Sequence, residues 1–118
     1  MNNIPAVVYF IACKGFIKIG RCRKHNFGKY RKTSNNCVGE LQRGNPFKLE
    51  VIAFIEFPSE SEAKTQEKKL HAHFKDLCHR GEWHHDAPEL RDYIRNHATA
   101  YESTHAKLQG ISLPRGKC

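Results

Sequence analysis

The 118-residue chain is short of acids, has one tryptophan and one methionine, and lacks any long apolar run. Its longest apolar stretch, residues 4–13, is too short for a membrane-spanning helix, which needs about 20 residues. No basic stretch precedes it, as a secretory signal would require. Membrane insertion and export are therefore not expected, and an intracellular setting, cytoplasmic or nuclear, is. No internal repeat and no low-complexity segment interrupts the chain. Five cysteines are an odd number for a disulfide framework, so reduced thiols are expected, with a metal site as the alternative. Twelve Asp and Glu face twenty Lys and Arg, for a net charge of +8. A surplus of that size favours a polyanionic partner through long-range attraction and counterion release. It does not separate DNA from RNA or a ribosomal surface.

What remains is ordinary for one packed domain: 39% hydrophobic and 27% charged residues, in a length that suits a single core. Residues 6–12 are β-branched and aromatic and predict a strand. Phe16 to Ile19 predicts a second, ending at Gly20, with a hairpin between. Residues 21–37 form a basic excursion with a short helix around Lys29 to Ser34. A helical turn over Val38 to Gln42 and a turn at Gly44-Asn45-Pro46 follow. Phe47 to Phe57 predicts a third strand, with Phe47, Leu49, Val51, Ala53, Ile55 and Phe57 on one face. Ser59 and Glu62 make a capping box for a helix to about Leu77. A loop over Arg80 to Trp83 leads to a last helix carrying Leu90, Tyr93, Ile94 and Tyr101 on one face and fraying near His105. The expected fold is α+β: a small, mostly antiparallel three-stranded sheet flanked by helices, in one domain over 1–109 with a basic tail over 110–118.

Glu67 is out of place on its helix. It lies about 40° from Ala63, about 60° from Leu70 and about 20° from Phe74 on the helical wheel, inside the apolar stripe. An ionised carboxylate there needs compensation by a metal ion, by a cation such as Lys18 or an Arg, or by protonation, unless it reaches out to solvent. A two-residue hairpin loop puts Tyr9 and Lys18 on one face of the sheet, where the ammonium would favour the phenolate. The plainer alternatives are a half-buried strand tyrosine and an edge-strand lysine that discourages aggregation.

In order along the chain, Val7-Val8-Tyr9-Phe10-Ile11, Lys18-Ile19-Gly20 and the segment from Glu60 through Glu67 to Leu70 resemble the motifs of the GIY-YIG nuclease superfamily. Leu41-Gln42 before Gly44-Asn45-Pro46, Leu70-His71 with Phe74, and Gly81-Glu82-Trp83 resemble its phage- and virus-type branch, in which the second motif reads Lys-Ile-Gly. The resemblance spans about residues 6–95. It implies a divalent-metal-dependent endonuclease acting on DNA, RNA not being excluded, with Mg²⁺ or Mn²⁺ as cofactor. On that match Glu67 would hold the metal, Tyr9 would be the general base, and Lys18 would tune Tyr9 or contact phosphate. The family's catalytic arginine finds its best match in Arg31, with Arg23 and Arg43 as alternatives.

Arg21, Arg23, Lys24, Lys29, Lys32 and Arg43 would contact the nucleic-acid backbone, and His71, one turn from Glu67, would line the site. If no arginine reaches the site, the same fold would serve as a catalytically inactive nucleic-acid-binding or protein-interaction module. A third option is a zinc-stabilised adaptor, using Cys22, His25 and Cys37, or Cys78, His79, His84 and His85. None of these repeats a full zinc-ribbon spacing.

Overall fold

Every residue of β1 (Ala6–Cys13) is buried, because the strand has a neighbour on each side and helices on both faces. A strand so placed carries apolar residues continuously instead of alternating them. The computed structural model describes residues 4–30 and 36–101. Lys14 and Gly15, both at positive φ, turn the chain into β2 (Phe16–Arg23), as two-residue hairpin loops require. Tyr9 then pairs with Gly20 and Ile11 with Lys18, so Tyr9 and Lys18 share a face as expected. β2 does not end at Gly20; it runs three residues further and absorbs the start of the basic excursion. One 3-10 turn follows at Lys24–Asn26. The helix expected around Lys29 to Ser34 falls mostly outside the described residues.

α1 (Cys37–Arg43) starts where the Asn36 side chain accepts from Gly39 N at 2.7 Å. β3 (Glu50–Phe57) is shorter than expected: Phe47 is exposed, and Gln42 braces the approach by accepting from Leu49 N and donating to Phe47 O. A bulge opposite Phe10 and Ile11 adds one residue to β3. It divides the single expected face, sending Val51 and Leu49 to one side of the sheet and Ala53, Ile55 and Phe57 to the other.

α2 (Glu60–His73) begins at Ser59, whose hydroxyl accepts from Glu62 N, and a 3-10 turn over Lys75–Leu77 completes the predicted span. The loop expected at Arg80–Trp83 is instead a tight hairpin of β4 (Cys78–Arg80) and β5 (Trp83–His85), with Gly81 at positive φ. α3 (Pro88–His97) places Leu90 and Ile94 in the core. It stops at His97. β6 (Thr99–Ala100) follows and carries Tyr101 to the opposite face of the sheet, against Phe27 and Phe54.

The α+β class holds, but the three-stranded sheet does not. Six antiparallel strands lie in the order β4-β5-β2-β1-β3-β6. The three added strands are only two or three residues long and polar in sequence, so alternation carries no signal there. One core, under α2 and α3, gathers Val8, Phe10, Ile17, Ile19, Leu70 and Leu90. The other, under α1, gathers Val7, Tyr9, Ile11, Phe27 and Phe54. Among the described residues no helix is long and apolar enough to cross a membrane.

Candidate functional site

β5 pairs with β2 only over Phe16–Lys18. From Gly20 onward no strand among the described residues pairs with the outer edge of β2, and candidate side chains flank it on both faces. Ile17, Ile19 and Arg21 point to the α2 side by strand alternation. There Arg21 Nε donates to Glu67 Oε1 at 3.0 Å. Glu67 is 8% exposed, so the wheel reading was right in placing it toward the sheet. Of the compensations open to it, the structure shows an arginine. The sequence reading gave Arg21 only a phosphate-binding role because it ended the strand at Gly20; continued alternation through residue 21 was the missed signal.

The second carboxylate is Glu82, in the β4–β5 turn. Lys18 Nζ donates to its Oε1 at 2.6 Å, so Lys18 serves Glu82 rather than Tyr9. Glu67, His71 and Glu82 form one group whose ligand-type atoms all lie within 4.8 Å of one another. His71 Nε2 sits 3.5 Å from Glu67 Oε2, too long for a good hydrogen bond. The three line an open pocket of about 360 Å³ together with Lys68, Lys75 and His84. His84 is fully buried, and burial followed by the nearby His71 holds it below the usual imidazole range.

Tyr9 approaches the same edge from the α1 side, its ring against Gly20. Burial pushes its phenol well above the ordinary value, and Cys37, Cys22, Glu82 and Glu67 push it further. The lowering expected from Lys18 is therefore absent: that ammonium is neutralised by Glu82, and burial dominates. Tyr9 and Glu67 come to β2 from opposite faces, linked only by the carboxylate's electrostatic influence on the phenol.

The remaining expected cations are spread out. Arg23 pairs with Glu60 at 2.9 Å and Lys24 with Glu56 at 3.4 Å. Lys24 and Lys29 both lie over the Tyr30 ring, whose hydroxyl donates to Glu56. Arg43 ends α1, under the other face of the sheet. Arg31 and Lys32 lie outside the described residues. Cys22 Sγ is 2.6 Å from Cys37 Sγ, and His25 does not join them in a metal-ligand group among the described residues. Neither do Cys78, His79 and His85. No family model, no curated protein and no solved structure matches the chain.

Proposed function

We propose that this chain is a divalent-metal-dependent DNA endonuclease of the GIY-YIG type, working at the open edge of β2. The observation that carries the proposal is the buried Glu67 carboxylate on a pocket, paired with the Arg21 guanidinium and grouped with Glu82, which the Lys18 ammonium holds. Phosphodiester hydrolysis asks for that set: charge stabilisation on the phosphate, a proton acceptor for the attacking water, and a site for a cation.

The donors fit a divalent ion. Glu67 and Glu82 offer oxygens, His71 offers a ring nitrogen, and the Nε2 atoms of His71 and His84 are buried without hydrogen-bond partners. When bound, Mg²⁺ or Mn²⁺ supplies Lewis acidity at the leaving oxygen. Arg21 is the guanidinium placed to grip two phosphate oxygens, a geometry that a lysine cannot match. Tyr9 would accept the water proton only as the phenolate, which needs cationic charge facing it to offset the burial that keeps the phenol protonated. Lys18, drawn in by Glu82, adds positive charge beside the phosphate path.

A supercoiled-plasmid nicking assay with Mg²⁺ or Mn²⁺, run beside Glu67→Ala and a salt series of DNA binding, tests this. The wild type nicks; Glu67→Ala does not, yet still binds with salt-sensitive affinity. Equal cutting by both overturns the site. One observation favours a second reading: Arg21 and Lys18 already neutralise both carboxylates. If neither protein cuts DNA or RNA, the fold is a catalytically silent nucleic-acid-binding module.

A further inference from the structure

We infer that Glu67, His71 and Glu82 form a three-ligand centre for a first-row transition ion, with His84 as an inner imidazole facing the same ion. The inference deepens the nuclease proposal by naming the ion class of its pocket, and it shares only the location with that reading. Glu67 and His71 are four residues apart on α2, so their side chains stand one above the other on one face of a rigid helix. Glu82 arrives from the β4–β5 turn, fixed by Ile19 N donating to its carbonyl at 3.0 Å. Ligands bound at about 2.1 Å to one ion are at most about 4.2 Å apart. The 4.8 Å spread of the group therefore closes by side-chain adjustment alone.

His84 provides an independent pointer. Its ring is fully buried, lines the pocket and lies 5.1 Å from the His71 ring. Its Nδ1 is 3.0 Å from the Glu82 carbonyl oxygen. A carbonyl only accepts, so Nδ1 is the donor in that contact. The Nε2 atoms of His84 and His71 are both buried without a hydrogen-bond partner. Glu67, His71 and Glu82 thus sit next to a second, buried imidazole whose Nε2 is also unsatisfied. Native interiors rarely leave such atoms unsatisfied.

The surroundings suit an ion too. Arg21 and Lys18 each engage only the Oε1 atom of their carboxylate. They can remain as outer partners that orient the ligands. The mixed nitrogen and oxygen set selects the ion: imidazole ligation favours later first-row ions such as Co²⁺ or Zn²⁺, whereas Mg²⁺ prefers oxygen and water and Mn²⁺, though it leans to carboxylates, binds above Mg²⁺ as a paramagnetic probe. On this reading the Mg²⁺ or Mn²⁺ site expected at Glu67 has nitrogen ligands as well as oxygen.

The test is metal binding by the full chain without DNA. Titration with Co²⁺, followed by its visible absorption, and with Mn²⁺, followed by paramagnetic broadening of histidine ring signals, should each saturate at one ion. Mn²⁺ should broaden His71 and His84 before His25, His79 or His97. Mg²⁺ should compete at least tenfold more weakly than Co²⁺. His71→Ala and Glu82→Gln should each weaken Co²⁺ binding at least tenfold, and His79→Ala should leave it unchanged. Broadening elsewhere in the wild type, or variants that bind as the wild type does, overturns the inference without any need for a folded mutant. One-ion binding with no cleavage sinks the nuclease reading alone. Mg²⁺-driven cleavage unaffected by His71→Ala sinks the three-ligand centre alone.

Discussion

The ring of Tyr9 lies directly against the backbone of Gly20, its partner across the β1–β2 ladder. A Cβ on residue 20 would come within 2.6 Å of Tyr9 Cε1, Cζ and the hydroxyl. Nothing about the glycine's φ demands glycine; the close approach does. Gly20→Ala should therefore push the phenol off the strand edge and cost about 1–3 kcal/mol, the usual range for overpacking. Denaturant midpoints check it. Combined with Tyr9→Ala, which removes the obstructing ring, the glycine substitution should lose most of its cost. Full additivity of the two would mean that the ring is not what excludes a side chain there.

Arg21 pairs with the buried Glu67 acid at the candidate site. Arg21→Gln leaves that carboxylate without its cation. The arginine side chain is 35% exposed, so screening moderates the effect and about 1–2 kcal/mol is expected. A saturating transition ion should restore the loss, because it supplies the missing positive charge from the pocket side. Melting temperatures with and without Mn²⁺ provide the check. In a Glu67→Gln background the arginine change should cost almost nothing, and an equal cost there would show that Arg21 acts through packing alone.

Much of this arrangement was legible before any coordinates. The β1 run, the Ser59 cap and the stripe on α2 are strong local signals, and they agree with the tertiary fold. Glu67 was recognisable as an inward carboxylate because helical periodicity alone orients it. Its partner was not recognisable, because a glycine inside a basic run reads as the end of a strand. Only the approach of the Tyr9 ring explains why glycine continues the strand at that point. The β4–β5 hairpin escaped for a different reason. Cys-His-Arg and Trp-His-His have no apolar alternation, and their pairing is decided by β2, sixty residues away in sequence, roughly, where loop closure rather than local preference governs. His84 looked like one of a cluster of zinc-type residues, but the His84 ring lies against His71 while the His85 ring lies tilted against Phe16.

Phe27 anchors the basic segment, although nothing in its polar neighbourhood marked it as core. It is fully buried, with ring centroids 6.1 Å from Tyr9, 5.2 Å from Phe54 and 5.6 Å from Tyr101. Phe27→Ala should cost about 3–5 kcal/mol, and Phe27→Leu, which keeps most of the volume, under about 1.5 kcal/mol. Urea unfolding separates the two. If the alanine variant unfolds near the wild-type midpoint, this ring does not tie the segment to the sheet.

Cys22 on β2 and Cys37 at the start of α1 hold their sulfurs 2.6 Å apart as free thiols. Either sulfur can donate in this contact, and sharing it lowers the Cys37 thiol from its ordinary value and raises that of Cys22. The thiolate is the nucleophile, so at neutral pH iodoacetamide should label Cys37 ahead of Cys22. Cys22→Ala removes that contact and should slow Cys37 labelling, shifting its pH profile upward. A mild azo oxidant such as diamide should join the pair: both thiol hydrogens and two electrons pass to the azo bond, which becomes a hydrazine, and one S–S bond forms. Closing a loop of about 15 residues stabilises a fold by about 3 kcal/mol in the chain-entropy picture, so the oxidised protein should melt several degrees higher, and dithiothreitol should reverse the gain. Peptide mapping should find Cys22 linked to Cys37. Failure to cross-link, or equal labelling of the two thiols, would mean that the strand end and the helix start do not hold their sulfurs in contact in solution.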